Sequence, residues 1–200
     1  MAKNRAQGVS IQVENPQEII QGLQDKKAAL QKAVDSAVKD WGKRAPAKVS
    51  KSVSQFYQIK KADIQSTYKG YKVNGQTSLH GFKVDNLELK YSGRLLTPTH
   101  FGMTPKVRPE GGRKYQVRAT IKKGQKKVLG SSVFLAKSGG AGTVQIPFQR
   151  EGTAAYPIKA VKTVSVPQMI TGDAAEEVSR QVNELLDERL QHHIERANKK

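Results

Sequence analysis

Hydrophobic positions recur at three- to four-residue steps in the first third of the chain, alternate in the middle and return to helical spacing at the end. Ile19, Leu23, Leu30, Val34, Val38 and Trp41 fall on one helical face. Asn15 is a fitting N-cap, Pro16 suits the first helical position and Glu18 completes a capping-box-like start. Gly42 reads as the end of that helix and Pro46 as the start of a second, with Val49, Val53, Phe56 and Tyr57 as its apolar face and Lys48 and Lys51 turned away. After Lys60 and Lys61 a short helical piece is predicted over 62–68.

From Gly70 onward β-branched residues and period-two alternation take over. Asn74-Gly75 is a turn signal after Tyr71–Val73. Phe82 and Val84 alternate, as do Leu87, Leu89 and Tyr91; Gly93 marks a bulge or turn before Leu95 and Leu96. Pro98, Pro105 and Pro109 make 97–112 a loop or irregular edge. Tyr115, Val117, Ala119 and Ile121 alternate cleanly, turn through Lys122-Lys123-Gly124-Gln125-Lys126-Lys127 and return as Val128-Leu129, the best hairpin in the chain. Strands follow over 133–136 and at Val144, Ile146 and Phe148, separated by a Gly-rich turn over 138–142. Ile158 and Val161 form a short strand, Val164 and Val166 a second apolar piece, and Pro167 stops the pairing. The last helix is predicted to begin near Thr171 to Asp173, with Asp173 and Glu176 at capping-box spacing and Val178, Val182, Leu185, Leu186, Leu190 and Ile194 on its apolar face.

The expected fold class is therefore α+β: N-terminal helices and a C-terminal helix packed on a mostly antiparallel sheet of about four to six strands. Residues 1–14 read as an arm, 15–69 as helical, 70–170 as β-rich and 171–200 as the C-terminal helix, one structural domain overall. In the arm, Val9, Ile11 and Val13 alternate as a strand added to another sheet would, or belong to a frayed terminus.

Composition changes this picture in one respect. Lys and Arg number 35 against 17 Asp and Glu, a net charge of +18, which favours polyanions or acidic protein surfaces. Hydrophobic residues make up 36%, a modest core that neighbouring copies would help to cover. Cysteine is absent, which removes disulfide and thiolate chemistry. No apolar run is long enough to span a bilayer, and the basic first sixteen residues lack the apolar core of a secretory signal, so no membrane partner is expected.

Candidate chemistry is sparse. His192 and His193 are adjacent and diverge on a helix, His80 and His100 stand apart, and no metal-binding or phosphate-loop motif occurs. No catalytic, cofactor or metal residue is assigned. Trp41, the one tryptophan, reads as a core or subunit-interface anchor. The sharpest polar feature is the hairpin tip: Lys122, Lys123, Lys126 and Lys127, extended by Arg113, Lys114 and Arg118, can reach a DNA backbone or dock on an acidic neighbouring ring. No aromatic residue interleaves with these lysines, so base stacking is not expected.

Tyr156, Pro157 and Ile158, followed by Ser165, Val166, Pro167, Gln168 and Met169 and then a long charged helix, resemble the end of the phage minor tail protein Z family. Members are neck or tail-completion proteins of long-tailed bacteriophages. The resemblance implies a structural virion protein, assembled in the host cytoplasm, that completes the head-proximal end of the tail. It implies a homo-oligomeric ring of six or twelve copies, partnered by a tail terminator or tube protein and a head-completion or connector protein, with DNA passing through the channel. In such a ring the two prolines would set where the strand ends and the angle at which the final helix leaves. The alternative is a cytoplasmic, basic nucleic-acid-binding protein, for example a ribosome-associated one; a small nuclease lacks a carboxylate or histidine constellation.

Overall fold

The computed structural model describes residues 16–73, 87–111, 114–137 and 144–199, without the side chains of 16–24. The N-terminal arm, Asn15, the side chains of Ile19 and Leu23, the Asn74-Gly75 turn, His80, Phe82, Val84, Arg113 and the 138–142 turn thus lie outside what is described.

The chain is α+β, with helices at both ends and antiparallel sheets between. Helix α1 runs unbroken from Pro16 to Phe56, 41 residues and about 60 Å. The predicted break at Gly42 and restart at Pro46 do not occur. Pro46 has no N–H to give the carbonyl four residues earlier, and Tyr68 replaces it: its hydroxyl donates to the Gly42 oxygen at 3.1 Å. Gly42 has a second task. A Cβ there would lie 2.3 Å from the Tyr71 ring, so glycine lets β1 (Tyr68–Val73) press against the helix. Two residues that mark helix ends locally form a notch for two tyrosines more than twenty positions away.

Helix α2 (Lys61–Gln65) is shorter than expected, because Tyr68 already belongs to β1. β1 pairs with β2 (Leu87–Tyr91), whose Leu87, Leu89 and Tyr91 are half-buried while Glu88 and Lys90 face solvent, as the alternation requires. Among the described residues the single sheet of the sequence reading is instead three small ones. The second joins β3 (Gly102–Thr104), β4 (Arg118–Thr120) and β5 (Lys126–Val128); β3 lies in the segment expected to be a loop or edge, after a 3-10 turn at Pro98–His100. The third joins β6 (Val133–Lys137), β7 (Gln145–Arg150) and β8 (Ile158–Ala160). Pro147 sits in its central strand. It is opposite Leu135, whose N–H turns away to the Tyr115 hydroxyl at 2.9 Å, while the Pro147 carbonyl accepts from Val161. No ladder bond there needs the missing proline donor.

Helix α3 (Val166–Thr171) and helix α4 (Ala175–Asn198) close the chain. The capping box belongs to α3, not to the final helix: Ser165 accepts from the Gln168 amide, and the Gln168 side chain accepts from the Ser165 amide at 2.9 Å. Asp173 and Glu176 do not cap α4, whose N-cap is Ala174. Val166 is helical and Val164 accepts from the Leu96 amide instead of forming a strand.

Helix α4 lies antiparallel along α1. Val178 meets Val49 and Val53 in the main core with Tyr57, Ile64, Phe101 and Met169; Leu185 and Leu186 meet Trp41 and Ala45. Ala33, Ala37 and Ala45 are buried beside Val34, Val38 and Trp41, and their small side chains let the helices approach closely. Trp41, 2% exposed, donates its indole N–H to the Val182 carbonyl at 3.1 Å and stands edge-on to Tyr71. It is a core anchor. Phe56, expected on the apolar face, is exposed at the helix end. A third, smaller core of Met103, Val117, Val133 and Leu135 holds the second and third sheets together.

Candidate functional site

The β4–β5 hairpin turns over 121–125, with Gly124 at φ +76°. It is not a free loop. The Gln58 amide donates to the Ile121 carbonyl and the Lys123 amide to the Phe56 carbonyl, which ties the tip to the end of α1. The Lys122 ammonium pairs with Asp173 at 2.5 Å, and the Tyr57 hydroxyl donates to the same carboxylate oxygen at 3.2 Å. Hydrogen bonding to Lys122 holds the Asp173 carboxyl below its ordinary range and raises the lysine in return. Burial, with Asp173 beside it, raises the Tyr57 hydroxyl. Lys122 is thus committed to a joint between the hairpin and the α3–α4 corner.

The other cations separate by strand register. Arg118, Thr120, Lys126 and Val128 share the outer face of the second sheet, since Arg118 pairs with Val128 and Thr120 with Lys126. Lys127, opposite Ala119, takes the other face. Lys123 borders a shallow depression near the end of α1 with Lys60, Lys61 and Lys106.

Arg118, Lys126 and Lys114 meet in a cleft of about 1110 Å³ between the second and third sheets. Arg150, which the sequence reading did not select, completes it from the end of β7. Thr104, Ser131, Ser132 and Thr153 add hydroxyls, and among the described residues no carboxylate lines the cleft. Among the described residues none of these four cations has an acidic partner within ion-pair distance; Arg118 reaches the Gln116 amide oxygen at 3.4 Å. The Arg150 guanidinium lies over the Phe134 ring, 5.4 Å from its centre, and Phe134 stacks on Phe148 across the β6–β7 pair at 6.3 Å. An aromatic ring distant in sequence from the hairpin lysines therefore borders the same cleft. Period two puts Arg150 on the face of Ile146 and Phe148; only the pairing of Phe148 with Phe134 carries it to the cleft.

The motif residues divide into two groups. Tyr156, 76% exposed, and Pro157 lie on the open connection that enters β8 at Ile158. Ser165, Val166 and Met169 are buried, with Pro167 at the start of α3 and Gln168 closing the cap. Pro157 thus precedes a strand instead of ending one, and α3 with Gly172–Ala174 stands between Pro167 and the final helix. Among the described residues no group of three or more His, Cys, Asp or Glu is placed to hold a metal, and no helix is long and apolar enough to cross a membrane. Compared with models of known protein families, with curated proteins and with solved structures, the chain shows no match.

Proposed function

We propose that this chain is a structural virion protein of a bacteriophage neck or tail. It assembles as a homo-oligomeric ring of six or twelve copies that completes the head-proximal end of the tail and links it to the head connector, with DNA in the channel. Its work is assembly, not catalysis. The observation that carries the reading is the separation of charge. Residues 101–162 hold 13 basic and 2 acidic residues, whereas α1 and α4 together hold 11 basic and 10 acidic. One lobe is a near-neutral packed frame and the other a cationic surface suited to a polyanion or to the acidic rim of an adjoining ring. The resemblance of Tyr156–Ile158 and Ser165–Met169 to the minor tail protein Z family supports the same reading.

The cationic cleft favours a second reading, a cytoplasmic nucleic-acid-binding protein. Quantitative mass spectrometry on particles purified from producing cells separates the two. A fixed low ratio of this chain to the tail-tube protein is expected of a ring component. Its absence from particles, with recovery on free nucleic acid or ribosomes, would overturn the ring and leave the second reading.

A further inference from the structure

We propose that the cleft between the second and third sheets binds a single strand of nucleic acid, with phosphates on Lys114, Arg118 and Lys126 and a base at Phe134 and Arg150. The inference goes beyond the ring reading and does not rest on it.

Three observations converge. First, these four cations have no acidic partner among the described residues, whereas Arg44, Lys122, Lys159, Arg180 and Arg189 all do. Like charges gathered without counter-charge repel one another, and an anion relieves this. Second, the lining offers hydroxyl donors and, among the described residues, no carboxylate, a combination suited to phosphate oxygens and hostile to a cationic guest. Third, planar groups stand at one end of the cleft. Phe134 is half-buried, stacked on Phe148 and overlain by the guanidinium of Arg150, which is itself exposed. Rings and guanidinium planes in a basic groove stack unpaired bases without regard to sequence.

At about 1110 Å³ the cleft exceeds the roughly 300–1,000 Å³ of a small-molecule pocket. A duplex offers the same phosphates but keeps its bases stacked within, out of reach of Phe134. An acidic peptide would satisfy the cations and leave the ring unused. The single strand is the partner that uses both.

The test is fluorescence anisotropy on the full chain with a labelled oligothymidylate, a duplex of equal length and polyglutamate as competitor, over a range of salt. Each variant is first checked for an unchanged melting temperature. The strand is expected to bind more tightly than the duplex. Arg118→Gln with Lys126→Gln is expected to weaken strand binding tenfold or more and to flatten the salt slope by about 1.4, two phosphate contacts at about 0.7 each. Lys123→Gln with Lys127→Gln, outside the cleft, is expected to do much less. Phe134→Leu is expected to weaken strand binding about five-fold or more with the slope unchanged and duplex binding unaffected. Equal losses in the two double variants would overturn the cleft as the site. Duplex binding as tight as the strand's, or Phe134→Leu without effect, would overturn the single strand. Displacement by polyglutamate at equal charge concentration would assign the cleft to an acidic protein instead. All readouts use the isolated chain, so absence from particles would remove the ring and leave this result standing.

Discussion

The α1–α4 pair and the β-rich lobe treat charge in opposite ways. Along the helices acids and bases nearly cancel and are neutralised locally. Asp40 accepts from Arg44 at 2.9 Å and from Arg189 at 3.5 Å, His193 lies 3.8 Å away, and Arg180 bridges Glu177 and Glu184. In the lobe, cations accumulate and the cleft between the second and third sheets is lined by four of them. The cores differ in parallel: the helical pair buries a tryptophan and two leucines at its centre, while the lobe rests on Met103, Val117, Val133 and Leu135. Charge in the first region is paired within the fold; in the second, like charges repel one another at some cost to stability.

The contrast breaks most visibly at Trp41. Trp41→Ala empties the joint between α1, α4 and Tyr71, and urea denaturation is expected to show a loss of about 3–5 kcal/mol. A loss under about 1 kcal/mol would mean the helices are not held together there. Next comes Asp40. Asp40→Asn removes the charge shared by Arg44 and Arg189, leaving Glu188 as the remaining acidic partner of Arg189, whose side chain is 14% exposed, and is expected to cost about 1–3 kcal/mol. The hydrogen bond from Arg44 depresses the Asp40 carboxyl, so the folded state binds its proton more weakly than the unfolded one. Its stabilisation is present above about pH 3.9, the unfolded value, and is lost as pH falls through the folded one. Denaturation curves in that acid window are expected to be flatter for Asp40→Asn than for the wild type.

Tyr68→Phe is a smaller change, about 1 kcal/mol, because it leaves the Gly42 carbonyl without the donor that replaces Pro46. Its companion is Gly42→Ala. Alanine is the better helix former, yet this variant is expected to be less stable, and Tyr71→Ala in the same chain is expected to restore it by clearing the ring from the new methyl. The smallest effect has the opposite sign. Arg118→Gln with Lys126→Gln is expected to leave stability unchanged or slightly raised at low ionic strength, a gain that fades as salt is added. A clear loss from that pair would erase the distinction between the two regions.

The same pair of regions shows what can be read from the chain alone. Val34, Val38, Trp41, Leu185 and Leu186 were legible because helical period is a local property, and burial followed it. Gly42 and Pro46 misled because their local meaning is termination; what overrides it is the Tyr68 hydroxyl and the Tyr71 ring, brought there by tertiary packing. Likewise period two finds strands but not their partners, so one expected sheet became three. At the candidate site the sequence groups Lys122, Lys123, Lys126 and Lys127 with Arg113, Lys114 and Arg118; of these Lys114, Arg118 and Lys126 share the cleft, whereas the tie of Lys122 to Asp173, 51 positions away, has no local signal. Arg150 and Phe134 stayed hidden for the same reason. Buried apolar stripes announce themselves in sequence; polar constellations assembled across sheets do not.

Trp41 has a practical side. It is the one tryptophan of the chain, buried, hydrogen-bonded to a helix carbonyl and edge-on to Tyr71. Its emission is therefore a built-in gauge of a single joint, the one between the two long helices and the first strand. A tyrosine set against it is a natural energy donor, so transfer from Tyr71 reports whether that strand is seated. Light from this one indole, compared with a whole-chain signal such as circular dichroism, can time the opening of the frame separately from the melting of the cationic lobe.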